Sequence, residues 1–263
     1  MTAADTPRGP FAGVIDAPIR RELSVLPRDE IARLLDAHRL YVATERRQGR
    51  RADLGSVDLA GLAAAGLNLR RIKMDRAVLR GADFTGAVLQ RANLAGAVLQ
   101  SARLDGADLS GARLSGADLC GASLADATLV EAELEFALMA KAMLTGARLR
   151  GADMSGAVLD DALLTRADLR AVNLRGASLK GARLDAADLR DARLGGSFLA
   201  DATLRGADLR GAYLRLARLD GADLSGADLR GAEGLAPVQL ARVQRIDGAK
   251  LPASLVGADH GQR

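Results

Sequence analysis

The sequence predicts an all-β solenoid, and three observations carry that prediction. One apolar residue recurs every five positions over most of the chain, alanine precedes it at a fixed distance, and glycine often follows it at another. With the large apolar residue at the centre of each five, the centres run Leu54, Leu59, Ala64, Leu69, Met74, Leu79, Phe84 and onward without insertion to Leu229, thirty-six pentapeptides in one register. Only Ala64 departs from Leu, Met or Phe. Alanine stands two residues before most centres (Ala82, Ala87, Ala92, Ala102), and glycine two residues after many (Gly81, Gly86, Gly96, Gly106). On an α-helix a step of five turns about 500°, so the centres would spread around the whole cylinder. In a straight strand the next centre, an odd number of residues away, would face outward. Both demands are met by a chain that makes a short extended run and then turns, once per five residues, keeping every alanine and centre on one axis.

The run A-[D/N]-L-x-x, seen as "GADLS", "RANLA", "GADLR" and "RADLR", resembles the pentapeptide-repeat family over about residues 52–231. That resemblance implies a right-handed quadrilateral parallel β-helix, with four pentapeptides per coil and about nine coils. At about 4.8 Å between neighbouring strands the body would be roughly 40 Å long, filled by Leu and Ala.

Four segments are expected. Residues 51–231 form the repeat. Residues 27–50 hold an N-terminal capping helix: "PRDEIARLLDAHRLYVATE" has proline and acids in its first turn, and Ile31, Leu34, Leu35, His38 and Tyr41 recur at helical spacing. Residues 232–263 form a C-terminal cap and tail, because the register breaks at Gly234, "APVQLARVQR" reads as a short helix and "IDGAKLP" as a last strand at a shifted register. These short α-helical caps would cover the ends of the stack, where apolar side chains and backbone groups lie open. Residues 1–26, with scattered apolar side chains from Phe11 to Leu23, leave two readings open: a segment packed on the solenoid, or a mobile one.

Composition narrows the function. Aromatics make up 2% of the chain and tryptophan is absent, so the interior is narrow and regular, without room for a substrate. The net charge of +4 dissolves when divided, since residues 51–231 carry 24 basic against 23 acidic side chains. That balance announces neither a nucleic-acid-binding surface nor a DNA-like one. No stretch approaches the roughly 18 apolar residues of a membrane span, the opening "MTAADTPRGPFAG" lacks the basic segment and apolar run expected of a secretory signal, and Cys120 is the only cysteine. A cytoplasmic, bacterial-type protein with no membrane association is expected. His38 and His260, the two histidines, belong to opposite ends of the architecture, and Cys120 falls just after a centre as an ordinary surface thiol. No catalytic residue, metal ligand set, cofactor or small-molecule substrate is expected.

Function should then reside in outward positions that break the repeat's own rule. Residues twenty apart share a face, so Asp58, Val78, Val98, Asp118, Leu138, Val158, Ser178, Phe198 and Arg218 form one column, five of them apolar where the family pattern puts Asp or Asn. Val78, Val98, Leu138, Val158 and Phe198, with Met143 and Leu163 beside them, make a partner-binding stripe or dimer seam, unless residues 11–26 cover it. Phe136 stands at a corner usually given to glycine, beside Glu131, Glu133 and Glu135, and marks either a partner contact or a bulged corner with its ring folded down. Arg150, Arg170, Arg190, Arg210 and Arg230 form an arginine ladder that matches an anion. Asp168, Asp188, Asp208 and Asp228 run beside it, and a self-neutralising face is the favoured reading there.

The expected function is a non-catalytic protein–protein interaction or scaffolding module, its partner another protein or a second copy of itself. The alternative comes from the resemblance: some members of the family resemble duplex DNA and protect or inhibit type II topoisomerases. The near-neutral solenoid disfavours it.

Overall fold

In the computed structural model, which describes residues 23–256, the residue before each centre forms a parallel bridge with the residue twenty positions on. Asp53 pairs with Lys73, Lys73 with Asn93, and the series continues to Tyr213 with Glu233. Four pentapeptides therefore carry the chain once around. Four outer faces result, beginning at Asp53, Asp58, Ala63 and Asn68, here called the first to fourth. The extended runs are too short for continuous strands, and the bridges stand isolated.

The hydrogen bonding explains the repeat. Each pentapeptide has five backbone N–H groups to satisfy. Around Leu109, Ala107 donates to the Leu104 carbonyl (3.0 Å) and closes a turn. Asp108 donates to Ala87 (2.9 Å), while Leu109 and Gly111 donate to Thr128 (2.7 Å) and Val130 (2.9 Å) in the next coil. The fifth, on Ser110, donates to Oδ1 of Asp108 at 3.0 Å. Asp or Asn before the centre thus replaces a missing backbone partner, as Asn93 does for Ala95 and Asp118 for Cys120. The turn places the residue two after the centre in the left-handed region, with Gly106 at φ 63°. A hydrogen bond across four residues with φ positive at the third position is the signature of a type II turn, which favours glycine.

Inward, the alanines and centres form one continuous buried column from Ala52 to Ala232. The exception at Ala64 is offset within its own coil: Leu62 and Leu67 stand where alanine usually does and pack against the column.

Helix α1 (Arg28–Ala43) starts after Pro27, carries Asp29 and Glu30 in its first turn, and lays Ile31, Leu34 and Leu35 on the core. His38, expected as a helix-face residue, is fully buried, and its Nδ1 accepts the Ala52 N–H at 3.1 Å. Ahead of α1, Ser24 bridges Val57 and so extends the second face by one position. The rest of the N-terminal segment, including the residues proposed to cover the stripe up to position 22, lies outside the described residues.

At the other end the register breaks at Gly234 (φ 72°), where a β-carbon would lie 2.7 Å from that of Arg215. Two short helices follow, α2 (Pro237–Leu240) and α3 (Ala253–Val256). Gln239 ties α2 to the stack: its Nε2 donates to the carbonyls of Leu214 (3.0 Å) and Ala217 (2.8 Å), and its Oε1 accepts the Ala236 N–H at 2.7 Å. Bridges resume between Asp223 and Arg245 and between Asp228 and Lys250, two residues longer than the regular spacing.

Candidate partner-binding faces

The stripe residues stack as one bridged column on the second face: Val78 with Val98, Leu138 with Val158, and Phe198 after Ser178. All five are half-buried. Asp118 interrupts the column between Val98 and Leu138. Where a stripe residue replaces Asp or Asn, the cap on the following N–H is lost. The N–H groups of Arg80, Gln100, Ala140, Asp160 and Ala200 have no hydrogen bond among the described residues. The guanidinium of Arg218 lies 5.8 Å from the Phe198 ring centroid, capping that end of the stripe with a cation–π contact. On the third face, Met143 is exposed and bridges Leu163.

Phe136 occupies the edge between the first and second faces, two residues before Leu138. Its backbone is regular (φ 57°), so the corner is not bulged, yet the ring does fold down along the edge. A β-carbon at Gly156 would meet it at 2.7 Å. The residue nonetheless remains 67% exposed. The acids are divided: Glu131 sits at the preceding corner, while Glu133 and Glu135 lie on the first face. Glu133 accepts from Arg113 Nε at 3.2 Å, and Glu135 from Ser115 Oγ at 2.6 Å. Phe136 and the apolar column are therefore neighbours, and Glu131 is not part of their surroundings.

On the fourth face the arginine ladder interleaves with the aspartates. Arg170 grips Asp168 with Nε at 2.7 Å and Nη2 at 2.6 Å, and Arg190, Arg210 and Arg230 hold Asp188, Asp208 and Asp228 in the same two-pronged way. Arg170 and Arg190 also approach the aspartate of the next coil at 3.6 Å. Arg230 holds the Asp228 carboxyl down at about 2. Arg150 alone of the five has no carboxylate partner among the described residues.

Cys120 is half-buried beside Asp118, and burial first, then that carboxylate, pushes its thiol up to about 11. It stays protonated at neutral pH and is a poor nucleophile. The described residues contain no group of three or more His, Cys, Asp or Glu able to hold a metal, and no helix long and apolar enough to cross a membrane.

Two features escaped the sequence reading. Leu216 and Val238 are exposed around a cavity of about 380 Å³ at the C-terminal end. At the other end Tyr41, Val42, Glu45, Arg46, Arg70 and Arg71 line a cavity of about 370 Å³. The signal for the second was present in "ERRQGRR", which links helix and solenoid, but what faces it depends on where the first corners fall.

The family model for pentapeptide repeats matches residues 52–91, 87–126, 117–156, 162–201 and 199–233. No curated protein matches the chain. Among solved structures, a trypsin-treated variant of QnrB1, described as a plasmid-mediated fluoroquinolone resistance protein, is 21% identical with a TM-score of 0.59, covering 75% of this chain and 93% of its own. HetL from the cyanobacterium Nostoc sp. strain PCC 7120, described as involved in heterocyst differentiation regulation, is 30% identical with a TM-score of 0.33, covering 80% of this chain and 92% of its own. The repeat that organises the bridges, the inward column and the asparagine and aspartate caps is thus the one the family model recognises, and this chain belongs to the pentapeptide-repeat family.

Proposed function

We propose that the chain is a non-catalytic interaction module, a rod of about nine right-handed coils with helical caps, whose working surface is the second face and the edge that carries Phe136. One observation carries the reading. Phe136 leaves a large apolar ring mostly in water at a left-handed corner, where the fold itself asks for glycine. A residue that costs backbone strain, recovers little of it by burial and sits beside Leu138 and Val158 is best explained by a partner that covers it. Pentapeptide-repeat proteins generally serve as structural or interaction modules, in keeping with this reading.

The test is affinity capture from the native cytoplasm with wild-type protein beside a Val98→Arg/Val158→Arg variant, both checked for an intact β-rich circular-dichroism spectrum. Partners held by the wild type and lost by the variant are expected, and a second copy of the chain among them would make the surface a dimer seam. Identical partner sets from two folded proteins would sink the reading.

The topoisomerase reading has less support. The likeness to QnrB1 speaks to fold, and mimicry of duplex DNA needs ordered, uncompensated negative charge. The aspartates best aligned for that role are each engaged by their own arginine.

A further inference from the structure

Two groups of arginines on the rod differ in kind. Toward the C-terminus Arg170, Arg190, Arg210 and Arg230 are held by aspartates. Near α1, Arg46, Arg70, Arg71 and Arg91 form no ion pair among the described residues, although three of them are exposed. They converge at one place. Arg46 follows the end of α1, Arg70 closes the first circuit on the fourth face, and Arg71 and Arg91 occupy successive corners of the same edge.

The loop that carries Arg46 is folded tightly back. Arg46 and Arg50 donate backbone N–H groups to the Tyr41 carbonyl at 2.7 Å and the Ala37 carbonyl at 3.1 Å. A β-carbon at Gly49 would overlap the Ala37 carbonyl, so the loop has no slack. Arg46 (φ 76°) and Arg71 (φ 63°) both take the left-handed backbone, which Gly111 adopts two coils further along the Arg71 edge. Arginine therefore stands where glycine costs less. Positive charge is in excess here: Arg46 first, then burial, Arg91 and Arg70 hold the Arg71 pKa below the usual arginine value.

We propose that the cavity lined by Tyr41, Val42, Glu45, Arg46, Arg70 and Arg71 binds an oligophosphate chain, free or as part of a nucleoside triphosphate. Its volume of about 370 Å³ falls in the range of roughly 300–1,000 Å³ usual for small-ligand sites. Guanidinium groups match phosphate oxygens in paired, directional contacts. Three line the cavity against one carboxylate, Glu45, which is itself in no ion pair among the described residues, and Arg91 stands at the rim of an adjoining hollow that shares Arg70. Extent argues for a small ligand over nucleic acid. Along this edge the charge ends at Gly111 and reverses at Glu131, so the patch spans only two coils, roughly 10 Å, too little to follow a duplex backbone.

The test is calorimetric titration of the full chain with sodium tripolyphosphate at physiological salt, then competition by ATP and by AMP. Saturable binding to the wild type is expected, weakened about tenfold or more in Arg46→Asn/Arg71→Asn, since asparagine tolerates the left-handed corners that both positions require. Arg70→Gln should weaken it as well and guards against misfolding of the double variant. Arg166→Asn/Arg193→Gln, which removes the same charge elsewhere, should stay within about twofold of wild type. ATP should compete and AMP should not; saturable tripolyphosphate binding that ATP fails to displace would assign the site to the free chain. No saturable binding, equal loss in both double variants, equal competition by AMP, or tighter capture of a short DNA duplex than of tripolyphosphate would each overturn the proposal.

Discussion

Phe136 takes a left-handed corner that glycine fills one coil before it, at Gly116, and one coil after it, at Gly156. Forcing an L-residue there costs about 1–2 kcal/mol, and the ring recovers little of that by burial. Phe136→Gly is therefore expected to melt no lower than the wild type, with a gain of up to about 1 kcal/mol, while losing partner capture. A substantial drop in melting temperature would instead make the ring's packing over Gly156 structural and remove the main support for the proposed surface. Phe136 was conspicuous in the sequence because it broke a glycine column. The sequence left the folded-down ring as one of two readings and could not choose, because the choice depends on the empty space above Gly156. The consensus Asp or Asn was equally visible, but its reason, the fifth N–H of each repeat, appears only when backbone partners are counted.

Helix α1 docks through its apolar stripe and through one polar contact. Ile31, Leu34 and Leu35 were legible from their spacing, which fixes the buried face of a helix. His38 shares that spacing, yet no pattern says that it meets the Ala52 N–H. Accepting that bond at Nδ1 leaves the ring neutral with its proton on Nε2, which makes no well-formed hydrogen bond. Burial, the largest effect, lowers the His38 pKa below its ordinary 6.5. The unfolded chain consequently binds the proton first as pH falls. Stability is full above 6.5 and declines from there toward the lower folded value. Carboxylates such as Asp223, held down at about 2 chiefly by the Ser225 hydroxyl, weaken the fold only below their ordinary 3.8, so the two effects occupy separate windows. Thermal melts between about pH 7 and pH 5 should show a falling midpoint for the wild type and a nearly flat one for His38→Gln, which keeps an acceptor for Ala52. A flat wild-type profile would mean that α1 holds without that contact.

Across the whole molecule the period of five made the solenoid readable, because every inward position repeats the same chemistry and one register runs without a gap. The outer faces were readable only in part. Columns can be written down once residues twenty apart are known to align, but the direction of each side chain along a column decides whether charges cancel. Arg170 turns back to Asp168 and also approaches Asp188 at 3.6 Å, so the fourth face is a zipper of alternating sign and presents no line of negative charge. Added to a DNA gyrase supercoiling assay with and without a fluoroquinolone, the protein is expected to change neither the rate nor the drug's inhibition; a dose-dependent effect would revive the mimicry reading. The two periods of this architecture also have a consequence at the level of its gene. Duplication or loss of five codons within the repeat keeps the inward pattern of alanines and centres while rotating all downstream faces by one side. Duplication or loss of twenty codons preserves interior and exterior alike. Such a gene can lengthen its product in steps of twenty without changing what each side displays, and in steps of five it can redraw the display while the fold survives.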